Sequence, residues 1–118
     1  MPYYLFQWKY KDEAIHAMAA TPQDRAVELR KAVQGFEGRL HQFFYAFGEY
    51  DGLSIVEFPS NEKCAACSTT LNGAGTNASF RTTVLLTGEE MKAAMKEAGT
   101  VNSGYSSPLD YIGYSSHG

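Results

Sequence analysis

Residues 3–10 constrain the fold most strongly, because aromatic side chains occupy every even position of this segment. These side chains are Tyr4, Phe6, Trp8 and Tyr10. Aromatic residues that recur at every second position are typical of a β-strand with one buried face. The chain is therefore expected to build a sheet with an apolar layer packed against the even side of this strand.

Other apolar segments also have the composition of strands, at 39–47, 52–58 and 79–86. The segment FGEYDG at 47–52 separates the first two of them and predicts a hairpin. In this turn, Gly48 and Gly52 are expected to permit positive φ angles, and Asp51 is expected to accept hydrogen bonds from nearby backbone amides.

Helical segments alternate with these strands. A short helix begins at Asp12, and a longer one follows with Thr21 as its predicted N-cap and Pro22 in its first position. A third helix is predicted over about 61–72, after a Ser-Asn cap. The capping-box sequence that starts at Thr87 predicts a fourth.

The predicted order is β-α-β-β-α-β-α, and its first six elements form the ferredoxin-like βαββαβ unit. This α+β fold has a four-stranded antiparallel sheet with helices on one face, followed here by an extra C-terminal helix and tail. The 118 residues suit one domain, which we assign to residues 1–99. Residues 100–118 are a Ser-, Gly- and Tyr-rich tail, either disordered or docked through apolar side chains: Tyr105, Leu109, Tyr111, Ile112 and Tyr114.

The predicted strands are apolar on both faces. In the second strand, strict alternation places His41, Phe43 and Tyr45 on one side, with Leu40 and Phe44 on the other. A soluble monomer rarely exposes more than a few hundred Å² of contiguous apolar surface. We therefore expect a homo-oligomer, either a dimer or a multiple of dimers, with a two-fold contact between sheets.

Composition argues against several classes of partner. The net charge is −3 and no block of Lys or Arg is present, so nucleic acid is not expected as a partner. No stretch approaches the roughly 18 apolar residues of a membrane span, and residues 1–10 do not resemble a signal peptide. The two cysteines are too few for a disulfide scaffold. A soluble, cytoplasmic protein is expected.

The hairpin carries a resemblance to a known family. The segment YAFGEYDGLSIVEFP at 45–59 resembles the defining segment of the GYD domain family, named for its Gly-x-Tyr-Asp turn, here Gly48 to Asp51. The segments MPYYLFQWKY and RTTVLLTGEEMKAAMKEAG are also similar to that family, so the likeness covers about residues 1–99. It implies the dimeric α+β barrel form of the ferredoxin-like fold, and it supplies no verified catalytic residues.

Candidate catalytic residues lie on the hairpin and on the second strand. Glu49 or Asp51 could act as a base or ligand at a pocket rim with Tyr50 as a donor, or the segment could simply order the turn. His41 is a candidate base because a histidine titrates near neutral pH, and Tyr45 is a candidate donor. A structural role for His41 is the alternative.

Further candidates lie outside the hairpin. Trp8 is expected to line a ligand cavity, and Arg81 is expected to pair with a carboxylate of a ligand, of Glu57 or of a partner subunit. Cys64 and Cys67 share a helix face, which suits burial against the sheet, although a redox role is the alternative. The spacing of His and acidic residues does not resemble a zinc site, so no metal and no cofactor are predicted.

Three functions fit this sequence. The first is a small homo-oligomeric module that binds a small molecule or serves assembly. The second is an enzyme similar to cofactor-independent monooxygenases or isomerases, acting on a small aromatic or apolar substrate. The third is redox or metal handling through Cys64 and Cys67. An enclosed cavity with His41 or Asp51 facing inward would favour the enzyme.

Overall fold

A computed structural model describes residues 1–111 of the chain. Its elements, in chain order, are β1 (Tyr3–Tyr10), α1 (Asp12–Ala20), α2 (Arg25–Gly35), β2 (Arg39–Tyr45), β3 (Gly52–Glu57), α3 (Asn61–Gly73), β4 (Asn77–Leu85), α4 (Gly88–Thr100) and a short 3₁₀ helix (Pro108–Tyr111). The chain divides into two compact units, Met1–Leu86 and a second that begins at Thr87.

The four strands form one antiparallel sheet in the order β2-β3-β1-β4. Strand β1 lies in the interior of the sheet, where Tyr3 pairs with Glu57 of β3 on one side and with Leu85 of β4 on the other. This order and the α+β architecture agree with the ferredoxin-like fold. The predicted fold class is therefore confirmed.

The core lies between the sheet and helices α2 and α3. Tyr4, Phe6 and Trp8 of β1 are buried there, as the aromatic pattern predicts, and Tyr10 is partly buried. Val56 of β3 and Phe58, just after β3, extend the same layer. The helices contribute four buried side chains to this cluster: Leu29, Val33, Cys64 and Cys67. We call this side of the sheet the helix face and the opposite side the second face.

The predicted start of α2 is wrong by one turn. Helix α1 continues to Ala20, so Thr21 closes α1 and donates its backbone N–H to the Ala17 carbonyl. The N-cap of α2 is Asp24, whose Oδ1 accepts from the Ala26 N–H at 2.9 Å. The capping box at Thr87 has the predicted form, because Thr87 and Glu90 each bond the backbone of the other.

A bulge in β2 overturns the predicted alternation of that strand. Leu40 pairs with Val56 and Gln42 pairs with Ile55, so His41 is an extra residue between two consecutive pairs. The prediction that His41, Phe43 and Tyr45 share a face is therefore wrong. His41 contacts residues of the second face, whereas the rings of Phe43 and Tyr45 lie on the helix face.

The glycines of the hairpin act differently from the prediction. Neither Gly48 nor Gly52 has a positive φ angle. Gly52 is instead required for space, because a Cβ atom there would collide with the indole ring of Trp8. Gly38 is constrained in a similar way, since its Cβ would lie 2.6 Å from the Glu57 carbonyl oxygen.

The second unit contains α4 and the part of the tail that the structure describes. Helix α4 has no buried residue, and its apolar side chains Met91 and Met95 are exposed. Tyr105 and Leu109 are exposed as well. Ile112 and Tyr114, which were predicted to anchor the tail, lie outside the described residues. Across residues 1–111, every helix is too short or too polar to cross a membrane.

Candidate functional site

A pocket opens between the helix face of the sheet and the helices that cover it. Its volume is about 90 Å³, which on this measure can hold several water molecules or a small organic group. It is lined by side chains from β1, β2, β4, α2 and the segment that includes the end of α3: Trp8, Tyr10, Arg25, Leu29, Phe43, Leu71, Ala74, Thr76, Asn77 and Phe80.

Aromatic rings form one wall of the pocket. The Trp8 ring lies 5.5 Å from the Phe43 ring in a tilted arrangement and stacks on the Phe80 ring with centroids 6.5 Å apart. The rings come from β1, β2 and β4. Trp8 pairs directly with Phe80 of β4, whereas β3, whose Gly52 pairs with Trp8, lies between β1 and β2. Such a wall suits the flat face of an apolar ligand.

The indole N–H of Trp8 is a buried donor without a partner on a residue that lines the pocket. Trp8 is only 5% exposed, and among residues 1–111 its Nε1 has no hydrogen-bond partner. The other buried side chain without a partner is Ser54, which does not line the pocket. Because buried polar groups are almost always hydrogen-bonded, this unpartnered donor makes Trp8 a candidate contact for an acceptor atom.

Tyr10 supplies a second donor to the same pocket. Burial raises the pKa of its hydroxyl above the ordinary value. The indole N–H of Trp8 opposes this rise in the Tyr10 pKa. In the structure, however, the Trp8 Nε1 and the Tyr10 hydroxyl are not in hydrogen-bond geometry. The Tyr10 hydroxyl therefore stays protonated at neutral pH.

Arg25 brings a positive charge to the pocket. It is the first residue of α2, and its backbone N–H donates to the Tyr45 hydroxyl at 3.0 Å. Its Nη1 donates to the Gln23 side-chain oxygen at 2.8 Å. Sequence reasoning missed Arg25, although a signal was present: a cation at the start of a helix opposes the helix dipole.

The hairpin tip forms a second cluster of polar residues. The Asp51 carboxylate accepts from the Tyr10 backbone N–H at 2.8 Å and lies 3.9 Å from the Lys9 Nζ. The Asp51 backbone N–H also donates to the Trp8 carbonyl oxygen. These contacts tie the turn to β1, so they provide a structural role for Asp51.

Three of the candidate ligand-binding residues meet beside this turn. Glu49, Tyr50 and Arg81 line a recess of about 290 Å³ together with Lys9. The Arg81 guanidinium lies 6.0 Å from the centre of the Tyr50 ring, in a cation–π contact. Within the described residues Arg81 has no carboxylate partner at ion-pair distance, so the structure gives no support to the expected pairing with Glu57.

Comparison with known proteins gives the family. The family model of the GYD domain matches residues 4–95, a range that includes the hairpin and all of the sheet except Tyr3. The chain belongs to the GYD domain family. A solved structure that is similar to it is the X-ray crystal structure of protein Atu4242 from Agrobacterium tumefaciens, with 18% sequence identity and a TM-score of 0.45. That match covers 73% of this chain and 92% of that chain. No curated protein matches the chain.

In this GYD domain, His41 lies apart from the pocket. Its Nε2 is 2.9 Å from the Glu57 carboxylate, and its ring packs against the Tyr3 ring with centroids 5.4 Å apart. Both neighbours belong to the second face, whereas the Tyr45 hydroxyl reaches α2 on the helix face. His41 and Tyr45, the predicted base and donor, are therefore not brought together.

The two cysteines of this GYD domain belong to its core. Cys64 and Cys67 are both free and buried on α3. Burial, together with the nearby Cys64, raises the pKa of the Cys67 thiol to about 12. Since the thiolate is the reactive form, these environments disfavour thiol chemistry near neutral pH.

No metal centre is assembled in the part of the GYD domain that the structure describes. Within residues 1–111, His, Cys, Asp and Glu side chains do not form any group of three that could hold an ion. The pocket beside Trp8 is the place where the described residues combine an aromatic wall with a buried donor that has no partner.

Proposed function

We propose that this GYD domain is a homo-oligomeric module that binds a small aromatic or apolar molecule in the pocket beside Trp8. The observation that carries the proposal is the buried indole N–H of Trp8, which lacks a partner at the edge of an aromatic cavity. Leaving a buried donor unsatisfied costs about 1–3 kcal/mol. A ligand that offers an acceptor atom at this point would remove that cost.

The pocket has the composition of a small-molecule site. Such sites are mostly apolar and contain a few polar groups that fix the orientation of the ligand. Here Trp8, Phe43 and Phe80 supply the apolar surface. The Tyr10 hydroxyl and the Trp8 N–H supply neighbouring donors, so a flat ligand with one polar substituent would use both parts of the lining.

Tryptophan fluorescence tests this proposal directly, because Trp8 is the single tryptophan of the chain. Titration with phenol, indole-free aromatic amides and short aliphatic amides should give a saturable change in emission for the aromatic compounds. Ala74→Phe, which places a ring at the lining of the pocket, should weaken binding. Ala19→Phe, at an exposed position of α1, is the matched control and should bind normally.

Absence of saturable binding for every aromatic compound, measured on folded protein, would contradict a small-molecule site at Trp8. Equal weakening by Ala74→Phe and Ala19→Phe would contradict the location of the site. Calorimetry provides an independent measure that does not depend on Trp8 emission.

The oligomeric part of the proposal rests on the second face of the sheet. Apolar side chains occupy its centre, and Phe44 of β2 is 57% exposed. The register places the following residues on this face: Tyr3, Leu5, Phe44, Leu53, Ile55 and Leu85. A second copy with the same face would cover them. Sedimentation of the wild-type chain as a monomer at micromolar concentration would contradict this part.

Binding is better supported than catalysis. The enzyme alternative needs a base and a donor that face one cavity. His41 contacts residues of the second face, and the Tyr45 hydroxyl already accepts from the Arg25 N–H. Asp51 is engaged by the Tyr10 N–H. None of these three candidates lines the pocket beside Trp8.

A further inference from the structure

We propose that the pocket beside Trp8 selects small aromatic acids, with the ligand carboxylate at Arg25 and the ring against the aromatic wall. This inference rests on the proposed binding function and gives the chemical class of the ligand. It adds a charge preference, which an apolar pocket alone would not have.

The lining of the pocket carries a single formal charge. Arg25 is its one basic residue, and the residues that line it include no Asp or Glu. Within the described residues, no carboxylate lies at ion-pair distance from the Arg25 guanidinium, whose Nη1 bonds only the neutral Gln23 side chain. A planar guanidinium with free N–H groups matches the two oxygens of a carboxylate.

The position of Arg25 supports the same ligand class. As the first residue of α2, Arg25 stands where the helix dipole is positive and where an anion, not a cation, is stabilised. Its backbone is held there by the Tyr45 hydroxyl. A ligand anion between the guanidinium and this end of the helix would offset the repulsion that the side chain otherwise meets.

Two of the remaining polar side chains of the pocket, Trp8 and Tyr10, offer donors to a ligand acceptor, whereas Thr76 and Asn77 can both donate and accept. The Trp8 Nε1–H can only donate, and the Tyr10 hydroxyl is protonated near neutral pH. The carboxylates of Asp24 and Asp51 have partners of their own: Asp24 caps α2, and Asp51 accepts from the Tyr10 N–H near Lys9. The ligand is therefore expected to bring the negative charge that the pocket lacks.

Three isosteric probes separate charge from shape: benzoate, benzamide and benzamidine. Calorimetric titration of the full chain should give benzoate an affinity about tenfold or more above that of benzamide, with benzamidine weakest. In Arg25→Gln the ratio of benzoate to benzamide affinity should fall close to one, because the charged guanidinium that would pair with the carboxylate is lost. Arg30→Gln, at an exposed position of the same helix, should keep the wild-type ratio.

Salt gives a second measurement that needs no variant. Raising the ionic strength from about 20 mM to about 200 mM should weaken benzoate binding and leave benzamide binding unchanged. If benzamide binds the wild type as well as benzoate does, the charge preference is overturned while the proposed binding function stands. If none of the three probes binds folded protein, the binding function itself is contradicted, and this inference with it.

Discussion

The Trp8 indole occupies its position because the facing residue of β3 has no side chain. A Cβ atom at Gly52 would collide with this ring. We predict that Gly52→Ala lowers the free energy of unfolding by about 1–3 kcal/mol and alters Trp8 emission, because the ring must move. Urea unfolding followed by fluorescence and circular dichroism measures both effects.

Gly48 is the control for this substitution. A Cβ there would meet no atom within 4 Å, and its φ angle is not positive. Gly48→Ala should therefore change the free energy of unfolding by no more than about 0.5 kcal/mol. Equal losses at the two positions would show that the contact with Trp8 does not determine the requirement for glycine.

We predict that the Cys67 thiol makes the free energy of unfolding depend on pH in the alkaline range. Burial, more than the nearby Cys64, raises the pKa of this thiol to about 12. Above pH 9 the unfolded chain loses this proton more readily than the native state, so stability should decline as the pH rises towards 12. Cys67→Ala should show a shallower decline in urea unfolding across this range. Parallel curves for the two proteins would contradict the buried, protonated thiol.

Some residues of the candidate site could be predicted from the sequence pattern, whereas others depend on which side chains the fold brings together. Trp8 could be named in advance because it lies on an unbroken aromatic face of β1. Arg25 could not be placed beside it, since the two residues meet only after α2 packs on the sheet. The separation of His41 from Tyr45 was equally hidden, because a bulge depends on how two strands pair.

At the scale of the elements, the Asp51 carboxylate adds a contact between the tip of the β2–β3 hairpin and β1, beside the pairing of β3 with β1. Asp51 accepts from the Tyr10 N–H at 2.8 Å and is partly shielded from water. We predict that Asp51→Ala lowers the free energy of unfolding by about 1–3 kcal/mol, because a buried backbone donor loses its charged acceptor. Asp51→Asn should lose less, since it keeps one oxygen. Thermal unfolding distinguishes the three proteins.

Glu49 provides the comparison within the same turn. It is exposed, so Glu49→Ala should stay within about 0.5 kcal/mol of the wild type. If Asp51→Ala were as stable as Glu49→Ala, the contact between the Asp51 carboxylate and β1 would not contribute to the free energy of unfolding. The carboxylate of Asp51 would then be free for a role at the recess near Arg81.

Local signals were reliable where an element end depends on its own residues. The capping box at Thr87 formed because Thr87 and Glu90 need only each other and the adjacent backbone. Thr21 does not cap α2, because α1 extends to Ala20 and Thr21 is the C-cap of α1. Asp24 is the N-cap of α2 instead. Competition between neighbouring helices is not visible in a motif considered alone.

At the scale of the whole molecule, the apolar second face leads to a test of assembly. Ile55 lies on this face, paired with Leu5 of β1. We predict that Ile55→Asp shifts the assembly to monomers while the circular dichroism spectrum is kept, because a carboxylate would be buried between two copies. Sedimentation velocity at several protein concentrations gives the mass.

Val27 supplies the control for assembly. It is an exposed apolar residue of α2, on a helix rather than on the second face. Val27→Asp should therefore leave the sedimentation coefficient unchanged. An oligomer that survives Ile55→Asp, or one that Val27→Asp disrupts, would contradict a sheet-to-sheet contact.

The overall fold was more predictable than the pocket, for a physical reason. Alternation in β1 and helical spacing in α2 are properties of consecutive residues, and the order of elements then restricts the topology. The pocket instead collects side chains as distant in the chain as Trp8 and Phe80. Its volume depends on how closely the helices approach the sheet, which consecutive residues do not encode.

The bulge at His41 also bears on how the protein behaves when it is concentrated. Strand β2 is an edge of the sheet, and a regular edge offers a template on which another chain can add its own strand. The extra residue interrupts the even spacing of backbone donors and acceptors along this edge. An incoming strand would find its ladder broken after Leu40, so growth of fibrils from this side is disfavoured.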